Sequence, residues 1–152
     1  MSSRPLIIIA VVFAAAIALK LLYWFSPPKV SRVLIAGAPI IVEVARTVDE
    51  QTLGLSNRLT LPEGHGMLFV YGEKMTPRFW MKDMRIPLDF MWIVDGKIAE
   101  ITVRVPAPQL ATPDSALPLY TPSVPVTMAL EVNAGTAERL GWKVGDAVTL
   151  EL

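Results

Sequence analysis

The chain of 152 residues has no cysteine and one histidine, His65. The first absence excludes a disulfide framework, a thiolate zinc site, a cysteine nucleophile and a lipoprotein-type acylated N-terminus. A thiol-free chain also suits export into an oxidising space. The second leaves no histidine cluster for a metal, and no nucleophile elbow accompanies His65 to complete a Ser-His-Asp triad. His65 sits in the glycine-rich turn Leu61-Pro62-Glu63-Gly64-His65-Gly66 and reads as a solvated turn residue. Charge is scarce too, at 18% of residues with a formal net charge of zero. Setting aside Arg4 and Lys20 leaves 12 of the 14 basic residues against 14 acidic ones, about −2 for the remainder. With Lys and Arg scattered, no basic face forms, which excludes nucleic acid as a partner. Internal repeats and a phosphate-binding glycine loop are also missing.

What the chain has in excess is apolar residues, at 53%. They begin in one run: residues 6–19 are 14 consecutive apolar positions, followed by Lys20 and Leu21-Leu22-Tyr23-Trp24-Phe25. This hydrophobic helix, within residues 1–26, has two readings. A cleaved signal peptide would use Ala16-Ile17-Ala18 as its small-x-small site. An uncleaved anchor would cross the cytoplasmic membrane with residues 5–25, close to the roughly 20 that a bilayer needs. Tyr23-Trp24 at the interface and a snorkelling Lys20 favour the anchor. Both readings export the remainder, so the expected organisation is a linker at 27–38 and a periplasmic or secreted β-rich domain at 39–152.

Short strands dominate that domain. Ile40-Ile41-Val42-Glu43-Val44-Ala45 is β-branched, and residues 67–71, 79–82, 88–94, 97–105, 124–132 and 147–150 also read as strands. Asp95-Gly96 makes a tight hairpin. Thr47-x-x-Glu50 is a capping box opening a short helix that ends near Gly54, with Leu53 and Leu55 facing inward. Residues 135–140 form a second short helix, closed by Gly141. Residues 72–77 read as a loop. Residues 106–125 carry six prolines and one charge, Asp114, and read as an ordered cover. The expected fold is mainly β (α+β): a compact β-barrel or β-sandwich of six to eight strands with two short helices.

The candidate chemistry gathers in residues 79–96. Trp80 and Lys82 share a face, and Asp89 enters from the next strand in apolar company, where a charge is costly unless paired or functional. Asp89 could be a base or ligand anchor. It could equally accept backbone donors in the turn at 85–88 or pair with Lys82. Glu131, alternating with Thr127 and Ala129 on what reads as the outward face, could complete an acidic pocket with Asp89, cap the following helix or pair with Arg58. Met75, Met81, Met84 and Met91 fall within 17 residues and could offer thioethers to Cu(I), or simply pack a core.

Gly66-Met67-Leu68-Phe69-Val70, Phe79-Trp80-Met81-Lys82, Ile86-Pro87-Leu88-Asp89, Asp95-Gly96 and Leu130-Glu131-x3-Gly135 together resemble the family catalogued as domain of unknown function 192. Gly54-Leu55-Ser56-Asn57-Arg58 and Gly141-x3-Gly145-Asp146 extend the resemblance, which runs from about residue 40 to the end. Asp83-Met84 stands where the family usually has Asn-Thr. The resemblance implies a compact exported β-rich domain with no established activity, and it marks Gly54, Gly66, Pro87, Gly96, Gly135, Gly145 and Asp146 as structural positions.

Three functions are compatible with these residues. The leading expectation is a non-enzymatic binding module, without cofactor, for a small polar, sugar or peptide ligand at Trp80, Lys82, Asp89, Glu131 and Arg58 beneath the proline-rich cover. The second is a hydrolase or isomerase using Asp89 or Glu131 as base with Lys82 as stabiliser. The third is Met-based Cu(I) binding.

Overall fold

The computed structural model describes residues 30–151; the hydrophobic N-terminal segment lies outside them. Among the described residues no helix is long and apolar enough to cross a membrane. Seven strands form one sheet: β1 (Val30–Ile35), β2 (Ala38–Ala45), β3 (His65–Met75), β4 (Leu88–Val94), β5 (Lys97–Val105), β6 (Val126–Asn133) and β7 (Val148–Glu151). Their order is β5-β4-β6-β3-β2-β1-β7, and only β2 and β3 pair in parallel. Between β2 and β3 lies helix α1 (Val48–Leu53), and between β6 and β7 lies α2 (Thr136–Arg139).

The sheet curls into a half-barrel, so the barrel expectation holds in this partial form. An isolated bridge between Lys97 and Ala147 brings the two outer strands together at one corner. The enclosed side holds one core, built on Val33, Ile35, Val42, Leu68, Met91, Ile93, Leu130, Val132 and Trp142. The opposite side holds a second core of Leu55, Met67, Phe69, Met81, Met84, Phe90, Trp92 and Ala129, roofed by the connections rather than by another sheet. Strand residues buried on both faces explain why β4 reads as an almost unbroken apolar run. For the same reason Glu131 is not outward: it points into the second core and is only 7% exposed.

Four local expectations change. The segment read as a linker carries β1, because Ala36 and Gly37, both at positive φ (49° and 84°), make a tight hairpin that pairs Val33 with Ile40. Residues 79–82 are not a strand. Only Phe79 is bridged, to Tyr120, and the chain then turns at Lys82-Asp83, with Asp83 at φ 56°. Strand β3 continues through the expected loop to Met75. The capping box on Thr47 and Glu50 forms, but α1 buries none of its residues and Leu53 faces solvent. Gln51 instead ties α1 to the sheet through the carbonyls of Ala45 and Val70.

Candidate functional site

The registers of β2, β3, β6 and β4 place Glu43, Met67, Glu131 and Phe90 in one row across the sheet. Directly opposed residues share a face, so two carboxylates stand on the roofed side with an apolar residue between them. Arg58 comes from the connection after α1 and engages Glu43 through both guanidinium nitrogens, with Nη2 at 2.7 Å from Oε2. Glu131 therefore feels the Arg58 charge without bonding to it. Burial pushes the Glu131 carboxyl up to about 8, against the opposing pull of the Arg58 charge. A proton thus sits on Glu131 at neutral pH.

Glu131 lines the floor of a cleft of about 370 Å³. The walls are α1 (Val48, Gln51, Leu53), Leu55, Phe69 and Tyr71 from β3, and the stretch from Met75 through Phe79 and Trp80. Tyr71 follows Met67 and Phe69 by strand alternation onto the same face. Its hydroxyl is buried and has no hydrogen-bond partner among the described residues. Burial first, then the nearby Glu131 carboxyl, hold the Tyr71 phenol well above its ordinary range. The apolar lining is stiffened by an aromatic cluster centred on Phe79, whose ring centroid lies 4.9 Å from those of Phe69 and Trp92. Chemically, the floor offers one carboxyl that can donate and accept, plus one hydroxyl, in an apolar surround.

The other anticipated site residues are distributed elsewhere. Asp89 is fully buried on the opposite, enclosed face. Its oxygens accept the backbone N–H groups of Arg104 (2.7 Å) and Ala137 (3.0 Å), pinning β5 and the start of α2 to β4. Its partners are backbone donors, as one expectation had it, but they come from β5 and α2 rather than from the turn at 85–88. Lys82 pairs with Asp114 of the proline-rich connection, not with Asp89. Its Nζ also lies 5.3 Å from the centroid of the Trp80 ring, so the two are neighbours through a cation–π contact at a turn and not through strand alternation. Hydrogen bonding to Asp114 raises the Lys82 pKa. Trp80 and Glu131 line the cleft and Arg58 stands behind it; Lys82 and Asp89 do not line it. The proline-rich connection packs Tyr120 over Phe90 instead of roofing the cleft. Met81 and Met84 lie in the roofed core, Met91 lies across the sheet from them, and Met75 is exposed. Tyr71 and Gln51 escaped the sequence reading, although alternation with Phe69 already put Tyr71 on the right face.

The family model DUF192, described as an uncharacterized ACR, matches residues 32–150. The chain belongs to this family. That match begins inside β1 and ends inside β7, so the family's extent is the whole half-barrel. No curated protein matches. Among solved structures, a candidate transcription regulator from Sinorhizobium meliloti 1021 is similar at 31% identity and a TM-score of 0.73, covering 82% of this chain and 96% of that one. A protein of unknown function from Novosphingobium aromaticivorans DSM 12444 is similar at 28% identity and a TM-score of 0.69, covering 82% and 94%.

Proposed function

We propose that this DUF192 chain is a non-catalytic binding module whose ligand is a small molecule with an apolar body and a hydrogen-bonding head. The body would lie against Phe69, Phe79 and Trp80, and the head would reach Glu131 and Tyr71. One observation carries this reading: the buried Tyr71 hydroxyl stands without a hydrogen-bond partner among the described residues, on the floor of an apolar cleft that it shares with the buried Glu131 carboxyl. Leaving such a hydroxyl unpaired costs about 1–3 kcal/mol, a cost that a complementary ligand removes. The Trp80 and Glu131 of the expected site stay in this reading; Arg58 acts through Glu43 and the field at Glu131.

The test is a thermal-shift screen of the full chain against aromatic amines, aromatic alcohols, amino sugars and short apolar peptides. A hit at 100 times its Kd should stabilise by about 2.7 kcal/mol. Glu131→Gln and Tyr71→Phe should each weaken the hit, while Asp89→Asn, across the sheet, should leave its affinity unchanged. A hit indifferent to both cleft substitutions sinks the proposal.

A second reading has its own support. A carboxyl held near 8 is poised for general acid–base work at neutral pH, which keeps an isomerase or hydrolase using Glu131 in play. Turnover of any stabilising compound, lost in Glu131→Gln with binding retained, would select it.

A further inference from the structure

Four exposed apolar side chains of this domain gather at one place. Val48 (78% exposed), Leu53 (63%), Met75 (42%) and Trp80 (42%) stand around the mouth of the cleft floored by Glu131. Arg78 lines the same mouth, and Arg46 precedes α1; neither forms an ion pair among the described residues. An apolar rim around a cleft, with a cationic fringe, fits an interaction surface.

The connectivity says where this surface faces. Strand β1 begins at Val30 opposite Glu43, two residues before β2 ends at Ala45 and the chain passes into α1. The upstream sequence therefore joins the fold beside the strand end that carries the cleft wall. Strand β3 runs parallel to β2 and brings Tyr71 and Met75 out past Ala45 at that same end. Only residues 26–29 separate the apolar run from β1, a tether of at most about 14 Å when fully extended.

We propose that the apolar rim formed by Val48, Leu53, Met75 and Trp80 is a membrane-contacting surface, seated on the bilayer that holds residues 5–25. The inference rests on the reading of those residues as an uncleaved anchor, and it is independent of which ligand the cleft takes. The short tether leaves the domain no room to stand clear of the surface. The rim supplies the apolar side chains that enter the interface, and Arg46 and Arg78 supply charge toward anionic headgroups. The other end of the β1–β2 hairpin, at Ala36, points away from the bilayer, about 20 Å along the strands from Val30.

The cysteine-free chain makes the test direct. Full-length protein carrying a single Val48→Cys, Leu53→Cys or Ala36→Cys substitution is labelled with a fluorophore. It is then reconstituted into phosphatidylcholine–phosphatidylglycerol vesicles containing a headgroup-proximal spin-labelled lipid. Labels at 48 and 53 should be quenched at least about twice as strongly as the label at 36, because a rim lying in the interface sits within its 5–10 Å depth. Adding Trp80→Asp and Met75→Asp to the Leu53→Cys chain should reduce that quenching while the protein stays with the vesicles. Equal quenching at 53 and 36, no quenching at 53, or a chain that does not remain with the vesicles overturns the proposal.

Discussion

Glu131 holds a proton that a surface glutamate would have lost, and this gives the fold a pH signature. Its carboxyl titrates near 8 in the folded chain and near 4.5 when unfolded. Between those values the folded state binds more protons than the unfolded one, so stability is full below the window and falls as pH rises through it. At about 1.4 kcal/mol per unit, the loss could reach about 4 kcal/mol by pH 8. Glu131→Gln, neutral at every pH, should remove that slope. Urea unfolding at about pH 5 and about pH 8 checks it: the wild type weakens by several kcal/mol, the variant stays nearly flat. Equal wild-type stability at both values would mean that Glu131 titrates as an ordinary carboxylate. Asp89 shows the limit of residue-level reading. Its apolar neighbours made it conspicuous, but its donors, Arg104 and Ala137, lie 15 and 48 residues downstream, and local sequence cannot pair groups at that distance.

At the scale of elements, the decisive contact is where β3 passes β6. A Cβ placed on Gly66 would lie 2.5 Å from the Glu131 carbonyl oxygen and 3.0 Å from Val132 Cγ1. The first of these is backbone, so one strand must shift. Gly66→Ala should cost about 1–3 kcal/mol, read as a lower urea midpoint with an unchanged slope. Because the strained contact is to Glu131 itself, the same variant should also weaken any ligand of the cleft. Thr47→Ala, which removes the capping box that starts α1, should cost about 1 kcal/mol and loosen the cleft wall. Elements with strong local chemistry were legible: the capping box, the Asp95-Gly96 hairpin, β4 to β6 and both short helices. Strand β1 was not, since six residues after Pro27-Pro28 become a strand only through β2 and the distant β7. The cleft was half legible. Alternation placed Tyr71 beside Phe69, whereas the solvation that makes Glu131 and Tyr71 interesting depends on what roofs the sheet. The segment at 79–82 misled because its aromatic residues satisfy a strand pattern while Asp83 turns the chain away.

Among the described residues as a whole, the sheet is completed where its last strand meets its first. Strand β7 pairs with β1 from Arg32↔Glu151 to Ile35↔Val148. Removing residues 148–152 should uncover Val33 and Ile35, which are fully buried in the enclosed core, and abolish a cooperative thermal transition by circular dichroism. This pairing also imposes an order in time. The first strand to be synthesised waits for its outer neighbour until the last one emerges. At 5–20 residues per second the 116 residues from Ile35 to Glu151 take roughly 10 seconds to make. Throughout that interval an edge bearing Val33 and Ile35 is free to pair with the wrong chain. Nascent chains should therefore need a holding chaperone until the final strand arrives.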